Sequence, residues 1–195
     1  MENLSRETGP SPQCTRCIAA TKGCCVTPFE DEWKIVLLPE EVESIAALAR
    51  REPATFIDET PLVPDQREYY VESETDDPLW ASLFARWERP TGFKGACPFL
   101  CSAGCTLPYE QKPFLCQVYP IEFNLTQGTL FLPALDEEES CDVTMGARSP
   151  RDVTDCFGDN LESLQQRLDL FRQRALMLLE KIEGAGSSGG ASSEG

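Results

Sequence analysis

Histidine is absent from the 195 residues, and lysine is scarce, with five in all. A chain without imidazole holds no Ser–His or Cys–His nucleophile pair, so hydrolysis of that kind is excluded. Long apolar runs are also missing: nothing approaches the ~20 residues that a membrane helix needs. The opening stretch "MENLSRETGPSPQ" lacks the apolar centre of a secretory signal. There is no Gly-rich phosphate loop and no internal repeat. Basic residues number 17 against 33 acidic ones, for a net charge of −16. Such a surface repels phosphate backbones and anionic headgroups, so neither nucleic acid nor membrane is an expected partner. These absences predict a cytoplasmic protein, and a monomer.

What the chain does have is cysteine, ten in all and most of it gathered in two places. "CTRCIAATKGCC" holds Cys14, Cys17, Cys24 and Cys25; the run from Cys97 to Pro120 holds Cys97, Cys101, Cys105 and Cys116. The density is below the ~8–10% of disulfide scaffolds. Clustered cysteines in a reducing compartment hold metal or do redox chemistry more often than they form bridges. Cys14 and Cys17 have the CxxC spacing common in zinc and iron–sulfur sites. With no histidine, a tetrahedral site must be all-thiolate, or thiolate with a carboxylate. Soft sulfur ligands select zinc, Cu(I) or iron–sulfur clusters over magnesium and calcium.

The adjacent Cys24 and Cys25 have diverging side chains. They suit two nearby metals or different irons of one cluster, unless one is a small buried hydrophobe. Cys97, Cys101 and Cys105 would share one helix face, but Pro98 and Gly104 interrupt the run and predict a loop wrapped around an ion. Pro98 also follows Cys97 as it follows one ligand of bacterial ferredoxins. Lys22, Lys94 and Lys112 lie within four residues of a cluster cysteine, and Arg16 sits inside the CxxC. Neighbouring cations lower thiol pKa and offset the charge of a tetrathiolate centre. Cys141 and Cys156 stand among carboxylates, which disfavour a thiolate unless a metal holds it. Either completes a ligand set or is a plain buried thiol.

The expected fold class is α+β: a small metal-stapled domain with loop-borne cysteine clusters, a few helices, a β-hairpin and a long C-terminal helix. Residues 1–13 read as a disordered leader, 14–145 as the metal-binding domain, 146–184 as the C-terminal helix docking on it, and 185–195 as a disordered tail. Trp33–Leu38 reads as a strand, and the segment from Pro39 as a helix with Val42, Ile45, Ala46, Leu48 and Ala49 on one face. "REYYV" (Arg67–Val71) reads as a strand. Asp77 caps a helix that buries Leu79, Leu83, Phe84 and Trp87, and Gly128 turns a hairpin between Ile121–Leu125 and Thr129–Leu132. From an Asp159 cap, Leu161, Leu164, Leu168, Phe171, Ala175, Leu178 and Ile182 recur in steps of three and four up to Gly184. Arg167, Arg172, Arg174 and Lys181 flank that stripe and would face like charges in a homodimer, so docking on the chain's own acidic body is expected.

The order CxxC, CC, "CPFL" and "KPFLCQVYP" resembles the YkgJ-type cysteine-cluster family, described as chelating zinc or iron, over roughly residues 14–142. The resemblance implies metal ligation by Cys14, Cys17, Cys24, Cys25, Cys97, Cys105, Cys116 and Cys141, with Tyr119 and Pro120 closing the last motif and Cys101 and Cys156 as extras. Lys112 stands where Arg is usual, Gln117 where Arg is common, and Pro108 displaces the element ending at Tyr109. Flagellin lysine N-methylase looks like a larger relative and carries an iron–sulfur cluster. The expected function is a cysteine-ligated metal protein, with a [4Fe–4S] cluster ahead of zinc, acting as a redox, sensing or accessory module. The alternatives are a structural-zinc protein presenting a surface, with the C-terminal helix offered to a protein partner, and a metal-dependent enzyme such as a protein-lysine N-methyltransferase.

Overall fold

The computed structural model describes residues 34–72, 77–94, 97–101, 104–132, 147–157 and 159–187. The expected leader, the first cysteine cluster, Trp33, Cys141 and positions 188–195 lie outside the described residues. The order is β1 (Lys34–Val36), α1 (Pro39–Ala49), a 3₁₀ turn (Pro53–Thr55), α2 (Pro64–Glu72), α3 (Pro78–Arg86), β2 (Gly92–Lys94), β3 (Leu100–Cys101) and β4 (Gly104–Cys105). A second 3₁₀ turn (Tyr109–Gln111), α4 (Phe114–Val118), β5 (Glu122–Asn124), β6 (Thr129–Phe131), α5 (Pro150–Phe157) and α6 (Leu161–Ser187) follow. The described strands pair as three separate antiparallel ribbons, β1–β2, β3–β4 and β5–β6. The α+β class and the long C-terminal helix stand as expected; no described helix is long and apolar enough to cross a membrane.

Two apolar cores divide the molecule. The larger lies under α6, where Leu164, Leu168, Phe171 and Ala175 are all but completely buried against Trp80, Leu83 and Phe84 of α3 and Phe114 of α4. Rings interlock throughout it: Phe114 stacks on Phe171 at 4.6 Å, and Trp80 meets Phe123 edge-on at 5.4 Å. The expected docking of the last helix on the body of the chain is therefore observed. The smaller core joins Leu37, Ile45, Phe56, Phe93, Phe99 and Leu107. Gly92 is required where β2 meets β1, because a Cβ there would stand 2.6 Å from the Ile35 carbonyl oxygen.

Asp77 does more than cap α3 through the Trp80 amide. Its carboxylate also accepts from the Leu125 and Thr126 amides and the Thr126 hydroxyl, at 2.5, 3.0 and 2.7 Å. One buried side chain thus satisfies a helix start and fixes the turn of the β5–β6 hairpin, in which Gly128 adopts φ +67°.

Four local expectations are corrected. Arg67–Val71 is helical, part of α2, despite the β propensity of its tyrosines and valine. Pro64 starts the helix, and the i, i+4 pair Gln66 and Tyr70 faces inward. Gln66 accepts from the Lys34 amide and donates to the Lys34 carbonyl, completing the edge of β1 as a neighbouring strand would. The cap of α6 is Asn160, which accepts from the Ser163 amide at 2.7 Å, while Asp159 one residue earlier receives the Arg167 guanidinium. The helix runs through Gly184 and Gly186 to Ser187, since glycines at about 1 kcal/mol each do not end so long a helix at once. Residues 146–184 hold a second helix, α5, whose amphipathic pattern, with Val153 and Phe157 turned to the core, the expected single helix left out.

Candidate metal-ligating segment

Of the eight expected ligands, Cys97, Cys105 and Cys116 are described; Cys14, Cys17, Cys24, Cys25 and Cys141 lie outside the described residues. Cys97 and Cys105 both pack against the smaller core, beside Phe99 and Leu107. A turn places them there: the Leu100 amide donates to the Cys97 carbonyl at 3.0 Å, and Leu100 pairs with Cys105 across β3–β4. Paired residues of an antiparallel ribbon share a face and the next pair takes the other. Cys101, paired with Gly104, is accordingly on the opposite face and exposed, while Cys105 is half-buried. The expected loop contains this small ribbon.

Cys116 is half-buried on α4, a helix too short to persist unaided. Tertiary contacts hold it. Glu41 of α1 accepts the Phe114 amide at 2.7 Å through one oxygen and the Leu38 amide at 2.8 Å through the other. Burial pushes the Glu41 carboxyl above the usual glutamate range, against the pull of these two amides and of Arg174. Tyr109 donates its hydroxyl to the Gln117 carbonyl at 2.8 Å, and its ring meets the Lys112 ammonium at 5.5 Å and the Arg167 guanidinium at 5.6 Å. The Gln117 amide group donates to the Lys112 carbonyl. Helix α6, which lies beyond the cysteine motifs in sequence, thus backs the segment that carries Cys116, through Arg167 and Phe171.

Among the described residues no three cysteine, aspartate or glutamate side chains converge as a metal site. The described donor set is three half-buried thiols, a chemistry that fits a soft ion and not magnesium or calcium. Cys156, on α5, is exposed. Sequence reasoning placed Tyr109 in a displaced motif and Arg167 beside the α6 stripe, and did not foresee that they meet or that Glu41 joins α1 to α4. Glu41 carried one legible signal, its place at the third position of a helix, where a carboxylate reaches back to the amide that precedes it.

No family model, curated protein or solved structure matches the chain. The likeness to the YkgJ-type family therefore rests on its cysteine motifs alone.

Proposed function

We propose that the chain is a cysteine-ligated metal protein whose ligands are Cys14, Cys17, Cys24, Cys25, Cys97, Cys105, Cys116 and Cys141, holding an iron–sulfur cluster in preference to zinc. The observation that carries the reading is a division among the described cysteines. The three in the motif set are half-buried, and the two outside it, Cys101 and Cys156, are exposed. Packing Cys97 and Cys105 against aromatic and aliphatic side chains limits water at the sulfurs, one of the levers that sets the stability and potential of a thiolate centre. Lys112 beside this segment adds positive charge that offsets a polyanionic site. Eight thiols are twice what one tetrahedral zinc or one [4Fe–4S] cluster takes, so the set serves two centres or one centre with spare thiols. A redox, sensing or accessory role follows from such a centre, and a cytoplasmic location suits its reduced thiols.

Anaerobic purification followed by iron, zinc and acid-labile sulfide analysis tests the reading. Roughly four irons with matching sulfide per chain and broad visible absorption are expected. One or two zincs in a colourless protein would replace the cluster with a structural-zinc site, and no bound metal would sink both readings. Cys105→Ala and Cys116→Ala should each lower metal content and thermal stability together, while Cys101→Ala leaves both nearly unchanged. Loss of metal in Cys101→Ala would overturn the ligand assignment.

A further inference from the structure

A groove of about 470 Å³ runs between α1 and α6, floored by residues 110–114 and 117. Its size falls among pockets that hold small ligands, roughly 300–1,000 Å³. Each helix presents a face at i, i+3, i+4 and i+7, from Glu41 to Leu48 on one wall and from Arg167 to Arg174 on the other. The helical periodicity of α1 predicts Leu48 on the buried face, yet Leu48 is 39% exposed, as is Leu170 opposite at 46%. These two leucines and Phe171 give the groove an apolar lining that the fold leaves open.

Its charged groups are unevenly employed. Both Glu41 oxygens are engaged by the amides that hold α4, so this carboxylate is occupied in structure. Arg167 is committed to Asp159 and Ser163, although its Nε is buried with no hydrogen-bond partner among the described residues, as is Oε1 of Gln117. Arg174 is half-buried and makes no hydrogen bond or salt bridge among the described residues; its nearest charge effect is on Glu41. Among the described residues the Lys112 ammonium meets the ring of Tyr109, and Glu110 is exposed at the rim. Partly burying a guanidinium without an anion is costly. Among the described residues Arg174 has no salt-bridge partner, and its charge acts on a Glu41 carboxylate already engaged by two amides, which leaves the guanidinium open to an anion.

We propose that this groove binds a small organic monoanion with an apolar body, a medium-chain or aromatic carboxylate, with Arg174 and Lys112 taking the anionic group and Leu48, Leu170 and Phe171 the apolar body. The inference is independent of the metal reading. The test uses the full chain, the fluorescent sulfonate 8-anilinonaphthalene-1-sulfonate as probe, and octanoate and octan-1-ol as competitors. Saturable binding of one probe per chain is expected, displaced by octanoate and at least about tenfold less well by the alcohol, the discrimination a charge-assisted hydrogen bond gives. Arg174→Ala should weaken octanoate about tenfold, and Arg174→Lys should recover part of the loss. Leu170→Asp, at an exposed site that tolerates a polar residue, should remove binding while circular dichroism stays unchanged; it decides the matter if Arg174→Ala does not fold. Equal competition by acid and alcohol would overturn the proposal, as would octanoate affinity unchanged in folded Arg174→Ala or Leu170→Asp. Displacement by a Glu-rich peptide but not by octanoate would overturn it in favour of a protein partner.

Discussion

The core beneath α6 and the segment from Cys97 to Val118 are built by different means. Beneath α6, nine-residue and longer helices bring whole apolar faces together, and side chains such as Leu164, Leu168 and Phe84 are removed from water entirely. Between Cys97 and Val118 the regular elements are two-residue strands, a 3₁₀ turn and a five-residue helix. The segment lends Phe99, Leu107, Phe114 and Val118 to the two cores, and single polar contacts tie it in place: Glu41 to Phe114, Tyr109 to Gln117, Thr106 to Phe99. A few hydrogen bonds contribute about 1 kcal/mol each, whereas a buried aromatic ring contributes several. The first region can hold itself together; the second leans on its neighbours and, under the proposed function, on a metal.

The sharpest way to break this contrast is Phe171→Ala, which removes a ring that touches both Phe114 and Trp80. A loss of about 3–5 kcal/mol is expected in denaturant titrations followed by tryptophan fluorescence. A loss under about 1 kcal/mol would mean that the core does not depend on α6. Next comes Glu41→Ala, which strands the Leu38 and Phe114 amides; about 2 kcal/mol should go, and amide exchange should accelerate first in α4. Third, stripping metal with a chelator should raise hydrogen exchange between Cys97 and Val118 by at least about tenfold while α3 and the middle of α6 hold their protection. Uniform acceleration would erase the distinction between the two regions.

The smallest effect concerns pH. Burial pushes the Asp58 carboxyl up, but its bonds from Thr60 and the Lys34 ammonium, 3.5 Å away, outweigh that and hold it below the usual aspartate range. Its contribution is present above the ordinary aspartate value and is lost as pH falls through the lower folded value. Glu41 has the opposite sign. Its raised folded value means that stability declines as pH climbs from the ordinary glutamate range through that value. Asp58→Asn should therefore flatten the acid limb of a stability–pH curve, and an unaltered limb would remove Asp58 from this account.

The long helix was legible because seven of its positions repeat a 3–4 spacing, and the hairpin because a glycine separates two alternating apolar runs. Arg67–Val71 was misread because local β propensity points one way and a proline start with an inward Gln66–Tyr70 pair points the other; only packing against β1 and α3 resolves that. The motif cysteines were visible from spacing, yet nothing in spacing says that Cys105 faces a core and Cys101 faces water, which follows from the register of β3 with β4.

The sequence by itself determined what kind of chemistry is open to this protein. A chain with no imidazole and ten thiols has a soft, sulfur-based ligand repertoire whatever its fold. It also determined α1, α3 and α6, because periodicity and caps are local properties. Only the tertiary structure decided that Arg167 and Phe171, about fifty residues beyond Cys116, would back the segment that bears it. The same packing left a groove between α1 and α6. Such contacts join residues far apart in the chain, and no local pattern records them because their free energy arises when apolar faces close on one another.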